Sequence, residues 1–377
     1  MAEALEIWPE NARVGMSGSE SGLVPAVFAD SSLASSFPFW LIDPLRNIHH
    51  RLLQNKLPHA MLVHAPPGSG KRFFVEALVA RLMCDASKDM DFDSTSGLPP
   101  LACGNCASCS QLRTGNQIDF KVISPEDGSR NIKVDQVRDF TDWLSRTSRR
   151  ADAYRVGVVD CADDMNRSSA NALLKTLEEP AAASKIILIG SWPRSLPATI
   201  TSRCMLVPVS AVPVASAVDW LVANGVDNAK SCLRQAHGAP FDAMHAATDD
   251  KRQQSANLIR CFSEIVSRKA GIAVWVERLK DESPRDCLEA FADFTADVCR
   301  VNQGCEKECM FPEEVERWQL LSGQLNNVQW FALHHELLQL LKVDSASFKV
   351  QPVLETVFAV IWRAGVRTAE GRAQDIT

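Results

Sequence analysis

Met61-Leu62-Val63-His64 is a short apolar run of strand type, and Ala65-Pro66-Pro67-Gly68-Ser69-Gly70-Lys71-Arg72 follows it directly. A helical stretch then continues to about Cys84. A strand that turns through a Gly-rich loop into a helix is the setting of a phosphate-binding P-loop, whose backbone N–H groups and helix N-terminus cradle phosphate. The pattern repeats: further strand candidates stand at Phe120–Ile123, Val156–Val159, Ile186–Ile189 and Met205–Val209. Helix patterns separate them, clearest in the i, i+3, i+4, i+7 stripe of Ala170, Leu173, Leu174 and Leu177. Strand–helix alternation predicts a parallel sheet covered on both faces, an α/β domain over residues 37–208.

The loop departs from the full pattern G-x-x-x-x-G-K-[ST] at both ends. Gly68, Gly70 and Lys71 are in place, but Ala65 stands for the first Gly and Arg72 for the hydroxyl that would ligate Mg²⁺. A guanidinium cannot bind a metal cation. The strand Val156-Gly157-Val158-Val159 ends in Asp160, the layout of a Walker B motif. Active ATPases of the AAA+ type carry a water-activating Glu at the next position; here it is Cys161, a poor general base. Two independent losses predict a vestigial nucleotide site that does not hydrolyse ATP.

The chain has 12 cysteines in 377 residues, too sparse for a disulfide scaffold. Cys103-x₂-Cys106-x₂-Cys109, with Cys84 upstream at the end of the P-loop helix, offers four thiolates. Four thiolates give a closed tetrahedral Zn²⁺ site of the structural kind. The same spacing also suits an iron–sulfur cluster, and a redox pair is a weaker reading. Most of the other eight read as small buried apolar residues.

A third run reads Asn171-Ala172-Leu173-Leu174-Lys175-Thr176-Leu177-Glu178-Glu179-Pro180, followed by Ile187-Leu188-Ile189-Gly190-Ser191 and by Ser202-Arg203-Cys204. Together, in this order, they resemble the clamp-loader branch of AAA+ proteins. With a degenerate P-loop and no Walker B Glu, the likeness is to the delta prime family of bacterial DNA polymerase III. It covers roughly residues 37–210 by motif and the helical remainder by architecture. The resemblance implies an AAA+ sheet domain with a zinc module at 84–109, a small helical lid at 209–250 and an all-α collar for oligomerisation at 251–377. It implies structural Zn²⁺ on Cys84, Cys103, Cys106 and Cys109. Arg203, with Ser202 beside it, is implied to be a finger reaching the ATP site of a neighbouring subunit. The implied role is that of an ATPase-deficient subunit of a hetero-oligomer with gamma/tau and delta, helping to load the sliding clamp (beta) onto primed DNA. ATP would be bound by the neighbours, and DNA-directed DNA polymerase (nucleotidyltransferase) activity would belong to the holoenzyme. Ser191 falls at the sensor-1 position and is expected to be structural.

Charge and composition narrow the alternatives. A net charge of −6 disfavours a protein that coats DNA by bulk electrostatics, and no aromatics interleave the zinc loop. Arg146, Arg149, Arg150 and Arg155 form a local basic stretch that reads equally as a solvated loop or as a contact to DNA or a partner. Residues 1–36 are Ser-rich and aperiodic, expected to be a disordered extension, with Met16 a candidate translation start. No apolar run approaches the ~20 residues of a membrane span, and no basic residue precedes Arg13, so a cytoplasmic protein is expected. From residue 252 on, amphipathic stripes dominate: Leu258, Ile259, Phe262, Ile265 and Val266; Leu288, Phe291, Thr295 and Val298; Trp330, Leu333, Leu337, Leu338 and Leu341. A last helix is expected after Pro352 with Leu354, Val357, Phe358 and Ile361, and His334-His335 reads as an exposed pair.

Overall fold

A computed structural model describes residues 37–88, 98–99, 101–126, 131–146, 148, 154–210, 212–267, 269, 272–280, 282–342, 355 and 359. The expected extension at 1–36, Arg149, Arg150 and the helix candidate with Leu354 to Ile361 lie outside the described residues. The chain divides into two compact units. One runs to Ala229 and takes in Ala236–His245; the other holds Lys230–Gln235 and continues from Ala246.

In the first unit the chain order is α1 (Phe39–Leu53), β1 (Ala60–His64), α2 (Lys71–Met83), α3 (Ala107–Arg113), β2 (Phe120–Ile123), α4 (Val134–Leu144), β3 (Arg155–Val159), α5 (Arg167–Glu178), β4 (Ser184–Gly190), α6 (Ala198–Thr201), β5 (Met205–Pro208) and α7 (Val214–Ala223). The five strands form one sheet in the order β2-β3-β4-β1-β5, every pair parallel. All five strand expectations stand, with bounds shifted by no more than two residues. They were legible because the central strands of a parallel sheet are buried on both faces and read as unbroken apolar runs, as β3 and β4 do.

Alternation across the pleat sorts the core. Ala60, Leu62, Val159, Ile186 and Leu188 pack with Val137, Phe140 and Leu144 of α4 and Ala170, Leu173 and Leu177 of α5. Residues 73–83 of α2 are all buried, the signature of a helix enclosed within the core rather than laid on a surface. Helix α5 starts where the Asn166 side chain accepts the Ser169 N–H at 2.9 Å, an N-cap. By contrast, α2 begins at Gly70 with no side-chain cap.

Arg155 is not part of a solvated loop or a DNA-facing patch. It lies in a buried ion pair with Asp119 at 2.8 Å, donates to the Trp143 carbonyl at 2.7 Å and stacks on the Trp143 ring. A basic run in sequence cannot distinguish an exposed guanidinium from one anchored in a strand.

The second unit is helical: α8 (Ala229–Gln235) enters it at Lys230, and α10 (Asp249–Val266), α11 (Ile272–Arg278), α12 (Pro284–Asn302), α13 (Val315–Ser322) and α14 (Asn327–Lys342) follow. The intervening α9 (Pro240–Ala246) belongs to the first unit up to His245. Phe262, Phe291, Phe294, Trp318 and Trp330 are buried in one aromatic-rich core. Asp297, fully buried on α12, accepts the Met310 and Phe311 N–H groups at 2.9 Å each and pairs with Arg300 at 2.6 Å, pinning the connection after α12. The expected stripes are core, except that Leu338 is exposed and Leu341 is only partly buried against the core. His334 is half-buried against Thr295 and the Ala292 carbonyl, so only His335 matches the expected exposed pair. No helix among the described residues is long and apolar enough to cross a membrane.

Candidate functional site

The loop between β1 and α2 turns through Gly68 (φ +63°) and Gly70 (φ +87°), both in the left-handed region where a side chain is strained. Its shape is held from within. Ser69 Oγ donates to the Pro66 carbonyl at 2.7 Å, and Trp40 Nε1 donates to the Ser69 carbonyl at 2.9 Å. Lys71 Nζ turns back to the carbonyls of Ala65 (3.3 Å) and Pro66 (3.5 Å).

The start of α9 lies directly against this loop. The Phe241 N–H donates to the Gly68 carbonyl at 3.0 Å. A Cβ built on Gly70 would stand 2.2 Å from the Phe241 ring, and one on Gly68 would stand 2.2 Å from Asp242 Oδ2. Phe241 is fixed there by tilted contacts to Phe73 and Trp220, with ring centroids at 5.7 and 5.2 Å. Burial pushes the Asp242 carboxyl above its ordinary range, opposed by the charges of Lys71 and His237. An aromatic ring and a carboxylate therefore crowd the two glycines whose N–H groups would face phosphate.

Arg72 joins the loop to the second motif. Its Nη2 lies 2.7 Å from Asp160 Oδ2, with the two side chains 15% and 3% exposed. The same nitrogen approaches Cys161 Sγ at 3.6 Å, and Asp160 Oδ1 accepts the Cys161 N–H at 2.9 Å. Cys161 sits at φ +53°. Its thiol is pushed up to about 12, first by burial and then by the Asp160 charge, with Arg72 opposing. The thiol is thus neutral at physiological pH. The guanidinium occupies the position that charge balance would otherwise give to a cation: beside the strand-end carboxylate, at the foot of the P-loop.

Arg203 follows α6 and stays close to its own backbone. Nη1 donates to the Thr199 carbonyl at 2.9 Å and to Ser202 Oγ at 3.3 Å, while Nη2 pairs with Glu178 Oε1 at 2.7 Å. Its partners belong to α5 and α6 rather than to the P-loop. Ser191, at the end of β4, donates its N–H to the Asp163 carboxylate, which also accepts the Ser195 hydroxyl.

The four cysteines converge. The sulfurs of Cys84, Cys103, Cys106 and Cys109 all lie within 4.8 Å of one another, and Cys103 and Cys109 are 4.0 Å apart. Zn–S bonds of about 2.3 Å in a tetrahedron place sulfurs about 3.8 Å apart, so the set fits a metal ion of that kind. Backbone N–H groups already point at sulfur, among them Cys103 to Cys84 (3.4 Å), Cys109 to Cys106 (3.4 Å) and Asp85 to Cys106 (3.5 Å). Such donors favour the thiolate. At Cys103, burial pushes the thiol up, but the N–H groups of Asn105 and Cys106, together with hydrogen bonds to the Cys84 and Cys106 sulfurs, outweigh it and bring it down to about 7. At Cys84 and Cys109 burial wins and the thiols are pushed up. Ser108 ties the group to Asp85 through its hydroxyl at 3.1 Å. Of the other cysteines, Cys204, Cys232, Cys261, Cys287, Cys299 and Cys309 are buried and Cys305 is exposed.

Sequence reasoning marked Arg72 as a lost metal ligand and not as the partner of Asp160. The signal was available, because an Arg at a position that faces the Walker B Asp has one obvious counter-charge. Phe241 and Asp242 were missed, as was the Glu178–Arg203 pair. These contacts join segments far apart in sequence, and no local pattern announces them.

A family profile described as DNA polymerase III, delta subunit, matches residues 43–213. DNA polymerase III subunit delta prime of Pseudomonas aeruginosa is 27% identical over 286 residues, 74% of this chain and 84% of that protein. Its counterpart from Haemophilus influenzae is 30% identical over 234 residues, 61% of this chain and 68% of that protein. Among solved structures, a DNA polymerase III gamma subunit-related protein from Thermotoga maritima superposes with a TM-score of 0.50 at 16% identity, covering 86% of this chain and all of that one. That last likeness concerns the fold alone.

Proposed function

The chain belongs to the DNA polymerase III delta prime family of clamp-loader proteins, and from that premise we propose that it is an ATP-inert subunit that completes the ATP site of a neighbour. The observation that carries the first half is the buried Arg72–Asp160 pair. In a working P-loop ATPase the corresponding hydroxyl and carboxylate hold Mg²⁺ between them. Here a guanidinium balances the carboxylate permanently, and a metal ion would have to displace a charge that is covalently part of the chain. Phe241 and Asp242 add to this by crowding the phosphate cradle with apolar and anionic groups. Cys161, neutral and partnered by Arg72, offers no base to activate water.

The second half rests on Arg203, exposed enough to reach outward and already oriented by its own backbone. A guanidinium delivered to a neighbour's γ-phosphate offsets charge that builds in the transition state, an effect of about 10³-fold or more in rate. Ser202 steadies it. The partners on this reading are gamma/tau and delta subunits, with the sliding clamp and primed DNA engaged by the complex. Polymerase activity belongs to the holoenzyme.

The Cys84, Cys103, Cys106 and Cys109 group is read as a structural Zn²⁺ site, since four thiolates leave no position for a reacting water. Residues 37–208 act as the AAA+ domain, 209–250 as the lid and 251–377 as the collar. On α14, Val328, Phe331 and Leu338 are exposed (76%, 50% and 40%) opposite the buried Trp330, Leu333 and Leu337, which suits a subunit contact. The test of inertness is direct. Calorimetric titration of the isolated chain with Mg·ATP is expected to show no binding and no turnover; measurable hydrolysis would make it an active motor instead.

A further inference from the structure

Glu178 and Glu179 close α5, at the end of a helix that carries partial negative charge and favours cations. Adjacent carboxylates there work against the helix they terminate, and residues that break a local rule tend to mark functional sites. Lys175 is the one basic residue of that last turn, and Arg203 brings a second cation to it, its Nη2 2.7 Å from Glu178 Oε1. With Nη1 on the Thr199 carbonyl and the Ser202 hydroxyl, both amino groups of the guanidinium are satisfied inside one subunit. All three acceptors are oxygens that phosphate oxygens can replace. The side chains are 36% and 50% exposed, which places the pair among surface ion pairs of small net worth. The guanidinium is therefore held at the surface in a defined direction by a contact weak enough to exchange.

We propose that Glu178 parks Arg203, holding it in the unassembled subunit and competing in the assembled complex with the phosphate of a nucleotide bound next door. Glu178 touches no nucleotide on this account and acts only through Arg203, as a positioning residue. The proposal rests on Arg203 being a finger in trans. Release of the finger is then coupled to the arrival of the neighbour's phosphate, which restrains hydrolysis until the interface is closed.

The experiment uses the full chain reconstituted with its clamp-loader partners, reading single-turnover ATP hydrolysis with Glu178→Gln, Arg203→Ala and the double variant. Glu178→Gln is expected to raise the rate about two- to fivefold, the range that an exposed ion pair can supply. Glu178→Ala shifts it in the same direction, and the gain narrows at high salt as the pair is screened. In the Arg203→Ala background the Glu178 substitution changes nothing. A rate that stays level or falls with Glu178→Gln while Arg203→Ala is strongly impaired overturns the parking and leaves the finger standing. The same gain in the Arg203→Ala background also overturns it. An Arg203→Ala complex as fast as the unaltered one removes the finger, and the parking with it.

Discussion

Arg72 changes the meaning of the P-loop more than any other single residue. Removing one partner of a buried pair leaves an uncompensated charge and costs about 3–5 kcal/mol, whereas replacing both by groups of similar shape is close to neutral. Arg72→Met is therefore expected to lower the chemical-denaturation stability of the α/β unit by that amount, and Arg72→Met with Asp160→Asn to recover most of it. If Arg72→Met alone were silent, the ion pair would not be the element that replaces the metal. Cys161 provides a check by reactivity. With its thiol held near 12, it stays neutral and unreactive to alkylation at pH 8 in the folded chain, while the exposed Cys305 reacts. Labelling of Cys161 at the rate of Cys305 would contradict a buried Arg72–Asp160–Cys161 network.

Among the elements, the four-cysteine group joins the end of α2 to α3. Cys106 has two tasks: its sulfur accepts the Cys109 N–H as the N-cap of α3, and it is one of the four candidate ligands. Serine keeps the cap and loses the thiolate. Cys106→Ser is thus expected to release about one zinc per chain and to lower the melting temperature of the α/β unit, with the same loss on chelation of the unaltered protein. Metal analysis that finds no zinc, or a Cys106→Ser chain as stable as its parent, would reduce the group to a helix cap. The sheet, the P-loop and the cysteine spacing were legible because each is written in a short run of residues. What escaped were contacts between runs. Phe241 and Asp242 sit behind an ordinary Gly238-Ala239-Pro240 turn, and Glu178 reads as one more acid until Arg203 is folded against it. Arg155 misled for the converse reason, because its burial depends on Asp119 and Trp143 rather than on its neighbours in sequence.

For the whole molecule, the P-loop glycines are crowded by Phe241 and Asp242, while Arg203 lies at the surface against Glu178 and α14 exposes Val328, Phe331 and Leu338. That division of labour suits a chain whose task is to complete an assembly. Replacing Val328, Phe331 and Leu338 together with Ser is expected to weaken incorporation into the complex in size-exclusion chromatography, with the melting profile of the free chain preserved. Full incorporation of that variant would move the subunit contact elsewhere. Single-turnover ATP hydrolysis in the reconstituted complex carrying Arg203→Ala decides whether a chain without its own ATPase supplies the finger of a neighbouring site. The expected result is an intact complex in which hydrolysis at one site falls by about 10³-fold; an intact complex with unchanged hydrolysis at every site would remove the finger role from Arg203.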